Sequence, residues 1–290
     1  MKPIQATILQ GKENEVFGTK IVELPYFSTT FHFHEECQLI YVVESEGKRM
    51  IGDSVENFGP DELILVGSNV PHVWHNNPLY FRDGTEGAKS VSLFIHPCKL
   101  LQLLGTFGNM QRLSHILGVS KSGLKFYGDT KKHLKDLLFK INEQEETFER
   151  LTILAQILKI LAHTKEFDLL TKAGYTNTYQ LKDNDRIDKI LKYIFDHFSQ
   201  QIKLEDVADI VHMSRHAFCR FFKNRTQRTF MEFVTEVRIS HACKLIAEGE
   251  KQITCLAYEC GFNSLSNFNK LFKEVKGQTP SDYRKTLIPH

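Results

Sequence analysis

At 290 residues the chain has room for about two domains, each able to bury its own core. With 37 Lys+Arg against 35 Asp+Glu the net charge is only +2, so no global basicity marks it as a nucleic-acid-coating protein. The start, Met1-Lys2-Pro3-Ile4-Gln5, does not read as an export signal, and no apolar run is long enough to span a membrane; a cytoplasmic location is expected.

Residues 1–97 read as β structure. Phe31-His32-Phe33-His34 alternates, and Leu39-Ile40-Tyr41-Val42-Val43 is rich in β-formers. Leu63 to Val66 and Val91 to Ile95 continue the series, with turn residues at Gly47, Gly52-Asp53, Gly59-Pro60-Asp61 and Gly67-Ser68-Asn69. Short strands at such spacing predict a β-barrel or jelly roll.

Two histidine clusters punctuate these strands: His32 and His34, then Pro71-His72 with Trp74 and Asn76. Their pattern resembles the two motifs of the cupin fold. In enzymatic cupins the resemblance implies a metal held by two histidines, a nearby glutamate and a later histidine. Carried over, those positions are His32, His34, Gln38 and His72. Glutamine is a weak, neutral ligand where a carboxylate is expected. Three readings stand: an effector pocket formed by His32, His34, Gln38, His72 and Trp74; a metal site in which Glu35 or Glu36 replaces the missing carboxylate; and histidines that hydrogen-bond within the barrel. The first is preferred, because converging polar and aromatic groups suit a sugar or other polar molecule. His75 falls on the opposite strand face from His72 and Trp74. No resident cofactor or metal is assigned.

From 98 to 168 the pattern turns helical. Phe148, Leu151, Leu154, Ala155, Ile157, Leu158, Leu161 and Ala162 cover more than one helix face, which predicts burial on several sides or a subunit interface. Residues 169–182, polar and without helical period, read as a linker.

The segment 183–290 contains one unit twice. Ser214-Arg215-His216-Ala217-Phe218-Cys219-Arg220-Phe221-Phe222-Lys223 aligns with Ser264-Leu265-Ser266-Asn267-Phe268-Asn269-Lys270-Leu271-Phe272-Lys273. Upstream, Leu204, Val207, Ala208 and Val211 correspond to Ile253, Leu256, Ala257 and Cys260, each set spaced as one buried helical face. Each copy therefore predicts two short helices joined by a tight turn, with Ser214 and Asn263 or Ser264 as caps and Gly261 in the second turn. Between them, Thr229 to Gly249 reads as a single helix of about 30 Å. Successive major grooves on one duplex face are about 34 Å apart. Arg215, Arg220, Lys223, Arg225 and Arg228 form a cationic run free of acids. From Leu181 onward there are 18 Lys+Arg against 14 Asp+Glu, so this end is the more basic one. The six cysteines, at 37, 98, 219, 243, 255 and 260, show no Cys-x-x-Cys spacing and read as reduced thiols. Cys219 reads as a small half-buried residue, with a redox sensor as the alternative.

From Ile187 to Arg284 the chain resembles the DNA-binding domain of the AraC/XylS family. The motifs that carry it are Leu204-Glu205-Asp206-Val207-Ala208, Phe218-Cys219-Arg220-Phe221-Phe222-Lys223, Gly261-Phe262, Ser266-Asn267-Phe268-Asn269 and Thr279-Pro280-Ser281 with Tyr283-Arg284. The resemblance implies a multidomain α+β regulator: a cupin-like β-barrel with following helices that dimerise, then an all-α domain of two helix-turn-helix units joined by a linker helix. It implies base contacts from His216, Cys219 and Arg220 in copy one, and from Leu265, Ser266, Asn267 and Lys270 in copy two. Arg215, Lys223 and Lys273 join these as DNA contacts by charge. Lys270 stands where the family has arginine and lacks the planar fork. Double-stranded DNA, a small-molecule effector, RNA polymerase and a second copy of the chain are the expected partners, with activation the commoner outcome. The alternatives are a ligand-independent regulator whose barrel only dimerises, and a metal-dependent cupin enzyme.

Overall fold

A computed structural model describes residues 15–27, 31–77, 80, 87–171, 184–226, 228–249 and 251–287. The predicted linker lies outside them from residue 172 on. Apart from Val55–Asn57, which group with the second unit, the chain divides at Lys182–Asp183 into two compact units.

The first unit opens with β1 (Phe17–Leu24), β2 (Cys37–Glu44), β3 (Gly47–Ile51), β4 (Ser54–Phe58), β5 (Glu62–Val66), β6 (His72–Asn76) and β7 (Ala88–Ile95). It continues with α1 (Pro97–Gly105), α2 (Gln111–Val119), β8 (Leu124–Phe126), α3 (Gly128–Glu143), α4 (Thr147–His163) and β9 (Phe167–Leu169). The strands pair as a six-stranded sheet, β1-β7-β2-β5-β8-β9, and a three-stranded sheet, β4-β3-β6. This is the double-sheet form of a jelly roll.

Alternation along β2 explains its unbroken apolar sequence. Leu39 and Tyr41 join a core with Leu63, Leu65, Leu93 and the helices α1 to α4. Ile40 and Val42 face the other way, into a core with Ile51, Phe58, Ile64 and Trp74 between the sheets. A sheet buried on both faces needs apolar residues at both parities. The helices therefore share a core with the large sheet. Within the helical segment, β8 and β9 extend that sheet, Leu124 pairing with Leu65 and with Leu169. Three-residue strands leave no periodic trace in sequence. The buried stripe of α4 is Leu154, Ile157, Leu158 and Leu161, whereas Phe148 and Leu151 are exposed.

One ion pair crosses between the sheets. Arg49 of β3, fully buried, donates from Nε to Glu62 of β5 at 2.9 Å and from Nη2 at 3.1 Å. Lys125 reaches the same carboxylate at 2.8 Å. Burial pushes the Glu62 carboxyl up, but Arg49 and Lys125 outweigh it and hold it below the ordinary range.

The second unit is all helical: α5 (Asn184–His197), α6 (Leu204–Ile210), α7 (Arg215–Thr226), α8 (Phe230–Glu248), α9 (Ile253–Glu259), α10 (Leu265–Lys276) and α11 (Pro280–Thr286). The pairs α6–α7 and α9–α10 are the two predicted helix-turn-helix copies. Thr229 opens α8 with a reciprocal capping box to Glu232, and Gly249 ends it in the left-handed conformation. The turns of the two copies are built alike. Met213 N–H donates to Ala208 O at 2.9 Å, and Phe262 N–H donates to Ala257 O at 3.0 Å. Both turns need a left-handed residue: Gly261 at φ 85° in the second copy, and His212 at φ 53° in the first. A Cβ at Gly261 would lie 2.8 Å from Phe198 O, so that turn admits only glycine.

Replacing Glu62 by Gln should strand the Arg49 charge inside the sandwich. The expected loss is about 3–5 kcal/mol in urea unfolding of the first unit. A loss below about 1 kcal/mol, the usual size for a surface pair, would show that the pair is solvated.

Candidate functional site

Two surfaces carry the sequence-predicted residues. The first is the outer face of α7 and α10. Each helix is fixed by an apolar inner face. In α7, Phe218 and Phe222 meet Phe230 of α8 at ring-centroid distances of 5.3 and 5.5 Å. In α10, Phe268 and Phe272 lie in a core with Ile239, Ala242, Cys243 and Ile246 of the same helix α8. Ser264 caps α10 by accepting from Asn267 N–H at 3.3 Å, and Ser214 accepts from Ala217 N–H at 3.4 Å. The outer faces are then set by helical period. Arg215, His216, Cys219, Arg220 and Lys223 are all exposed on α7, as are Ser266, Asn267, Lys270 and Lys273 on α10.

Four positions depart from the sequence reading. Leu265 is half-buried and packs against the apolar core of copy two. Cys219 is exposed, not half-buried, because it falls on the outer stripe opposite Phe218 and Phe222. Arg228 leaves the cationic run: it is buried and paired with Glu236 of α8. Asn269 was not selected from sequence, yet it is exposed and occupies in α10 the place of Cys219 in α7. The repeat register was the signal that could have found it.

Other cations are structural. Arg238 donates from Nε to Phe198 O at 2.7 Å and from Nη2 to Gln200 O at 2.8 Å, which ties α8 to the chain after α5. Arg284 donates to Lys251 O at 2.6 Å. Arg215 and Lys270 form exposed pairs, with Glu205 at 3.2 Å and Glu274 at 3.9 Å, which cost little to open.

The second surface lies on the inner side of the sandwich. His32 and His72 face one another in an antiparallel bridge, exchanging backbone hydrogen bonds of 3.1 and 2.8 Å. Residues paired in this way project from the same face. Alternation adds His34 two residues on and Trp74 two residues after His72. The ring centroids stand 4.4 Å apart for His32–His72, 5.0 Å for His34–His72 and 5.6 Å for His72–Trp74. Gln38 of β2 approaches His34 Nε2 to 3.4 Å with its Oε1 and donates from Nε2 to Ser92 Oγ at 3.2 Å. All five predicted effector residues except His32 are buried; His32 is half-buried. His75 is buried on the alternate face of β6, and Asn76 accepts from Phe27 N–H at 2.8 Å, a structural tie. Neither glutamate fills the place left by Gln38. Glu35 is exposed and lies 3.7 Å from His96; Glu36 lies 3.6 Å from the far nitrogen of His34, Nδ1.

The chemistry of these imidazoles is fixed by their backbone bonds. His34 Nδ1 donates to Glu36 O at 2.9 Å and His72 Nδ1 donates to Val70 O at 2.8 Å. Each ring therefore carries its proton on Nδ1 and presents a bare Nε2. His72 Nε2 and the Trp74 indole Nε1–H are buried with no hydrogen-bond partner among the described residues. Burial, aided by the neighbouring His32, lowers the His34 pKa from 6.5 to about 4. Burial, with His32 and His34, holds His72 well below its usual value. The Trp74 indole donor thus lies beside the imidazoles of His34 and His72, both neutral at pH 7. A metal of the cupin kind fits the nitrogen donors, and lacks the carboxylate.

The unfolded chain takes up protons near pH 6.5 that these two rings refuse when folded. Their contribution to stability is therefore full above about pH 6.5 and lost progressively as the pH falls toward about 4. Thermal unfolding of the first unit should drop between about pH 7 and pH 5, by up to about 1.4 kcal/mol per pH unit for each ring. His34→Gln should flatten that slope; an unchanged slope would show that His34 is already solvated.

Comparison with known proteins gives three findings. A family model described as a helix-turn-helix domain matches residues 207–286. An uncharacterized HTH-type transcriptional regulator of Bacillus subtilis (strain 168), YdeC, is 27% identical across 96% of this chain and 98% of its own length. The melibiose operon regulatory protein of Escherichia coli (strain K12) is 21% identical across 90% of this chain and 85% of its own. Among solved structures, that of ToxT from Vibrio cholerae O395 aligns over 95% of this chain and 99% of its own, at 18% identity and a TM-score of 0.38.

Proposed function

We propose that this chain, which is similar along its length to HTH-type transcription regulators and matches a helix-turn-helix domain over residues 207–286, is a DNA-binding transcription regulator of the AraC/XylS type that grips its operator with both recognition helices, α7 and α10. We further propose that a small polar effector, held between the sheets of the first unit, adjusts that grip. The observation that carries the DNA part is the repeated outer stripe. His216, Cys219, Arg220 and Lys223 on α7 recur as Ser266, Asn269, Lys270 and Lys273 on α10.

The two stripes differ in chemistry. On α7, Arg220 has the planar fork that binds a guanine edge bidentately, and His216 and Cys219 flank it. Arg215 and Lys223 are placed at either end of the helix to neutralise phosphates. On α10, Asn267 or Asn269 suits an adenine edge, whereas Lys270 and Lys273 serve as phosphate contacts. Leu265, half-buried, shapes the start of the helix more than it reads a base.

For the effector, the support is the convergence of His32, His34, Gln38, His72 and Trp74, with the Trp74 indole N–H and His72 Nε2 buried without a hydrogen-bond partner among the described residues. Such an array favours a hydroxylated molecule, and the melibiose regulator among the relatives makes a sugar the first class to test. The relatives that span most of this chain are transcription regulators, and on this reading the chain acts on transcription, not as an enzyme. We place it in the cytoplasm as a homodimer that recruits RNA polymerase and activates. Exposed Leu103, Phe107, Phe148 and Leu151 on and beside α1 and α4 supply an apolar face for the dimer. The same face favours the second reading, a regulator whose first unit serves dimerisation alone.

Arg220→Ala should cost about 1–3 kcal/mol on the operator and relax discrimination at one base pair. Lys223→Ala should weaken all sequences alike and reduce the salt slope by about 1. Gel titration at several salt concentrations separates them. Equal losses on operator and random DNA for Arg220→Ala would remove its base-reading role.

A further inference from the structure

We propose that the groove between β1, α1 and α4 is a second ligand site, which binds an amphipathic monocarboxylate with its acid head on Arg150. The site is separate from the histidine cluster and does not rest on the effector reading above.

The groove is a mostly apolar cavity of about 490 Å3, within the usual size of small-molecule sites. Its floor is Leu100 of α1 with Leu154 and Leu158 of α4, all buried in the core shared with the large sheet. Its rim is Leu103 and Leu151, both half-exposed. The walls are tied together by backbone: Val16 O, just before β1, accepts from the N–H of His96, the cap of α1, at 2.9 Å. The cavity is therefore formed before any ligand arrives. Phe107 and Phe148 lie outside the lining, so a ligand in the groove leaves them to the dimer face.

Arg150, half-buried in the lining, gives the groove its polarity. Its Nη2 donates to Thr19 Oγ1 at 3.1 Å, and its guanidinium stands 5.4 Å from the centroid of the Phe17 ring. Its Nε is buried without a hydrogen-bond partner among the described residues. The hydroxyl and the ring orient the cation, and neither brings a negative charge. Glu15, the acid of the lining, forms no ion pair with it. The other sequestered arginines differ: Arg49 and Arg228 each hold a carboxylate, and Arg238 donates to two carbonyls. A cation drawn out of water without a counter-charge is costly, and a carboxylate relieves that cost.

The two features select the ligand together. A planar guanidinium matches the geometry of a carboxylate, and charge-assisted hydrogen bonds are the strong ones. The leucine floor and rim suit an alkyl chain, which loses contact with water as it lies along them. Among the described residues the lining offers one cation, which balances a single negative charge and not a phosphate dianion. A sugar finds neither partners for its hydroxyls nor use for the guanidinium there.

The test titrates decanoate into the full-length protein by calorimetry, below its micellar concentration. Decanol and decyltrimethylammonium serve as the uncharged and oppositely charged controls. One equivalent of decanoate per chain is expected, bound at least about tenfold more tightly than either control. Arg150→Met keeps the apolar stem and should weaken decanoate about 10–100-fold. Ala155→Trp, at an exposed position of the lining, should fill the groove and abolish binding, with thermal unfolding unchanged. Saturable binding that both variants retain would place decanoate elsewhere and overturn the proposal. The absence of saturable binding by the folded protein, or decanol bound as tightly as decanoate, would overturn it as well. Sedimentation equilibrium on the same samples tests the rival occupant, a second copy of the chain. Dissociation of a dimer by Ala155→Trp, with no decanoate bound by the unsubstituted protein, would make the groove a subunit contact and remove the ligand site.

Discussion

The DNA-binding unit depends on the burial of α8 along both sides. Phe230 and Phe233 at its start receive Phe218 and Phe222 of α7. Ile239, Ala242, Cys243 and Ile246 further along receive Phe268 and Phe272 of α10. One helix is thus the common wall of both cores, so neither recognition helix can turn without disturbing it. Its capped length of 19 residues corresponds to about 28 Å, near the distance between successive major grooves. The caps matter for this reason: Thr229 and Gly249 set where the rod begins and ends.

Much of this unit is legible in the chain, because its determinants are local. Apolar residues at helical spacing, Ala208 and Ala257 on the first helices, Ser264 before the second, and the Thr229 and Gly249 caps are all readable. What escapes is what tertiary contact decides. His212 shows no glycine signature, yet takes the left-handed turn that Gly261 takes in the other copy. Arg228 reads as one more cation in a basic run until Glu236, eight residues on, removes it from the surface. Leu265 resembles its neighbours in the motif but is drawn toward the core, whereas Asn269 is left outside.

The first unit is less legible, since its site is built by long-range pairing. Alternation places His32 with His34, and His72 with Trp74, but only the bridge between residues 32 and 72 brings the two pairs together. Gln38 joins them through the register of β2 against β7, where it lies opposite Phe94. The Arg49–Glu62 pair is likewise invisible in sequence, although it spans the same interior. The strands β8 and β9 are too short to announce themselves, and through them the helices are tied into the large sheet. Sheet and helices form one core, so Gln38 stands on a wall whose other face is helical, while His72 and Trp74 stand opposite on β6 of the small sheet.

The central claim is that both copies read DNA, held at a spacing set by α8. Selection of bound sequences from random duplex DNA by the full-length protein tests it most directly. The account predicts a bipartite motif whose halves lie about one helical turn apart, roughly 10–10.5 base pairs. Enrichment of a single half, or halves at variable spacing, would contradict it.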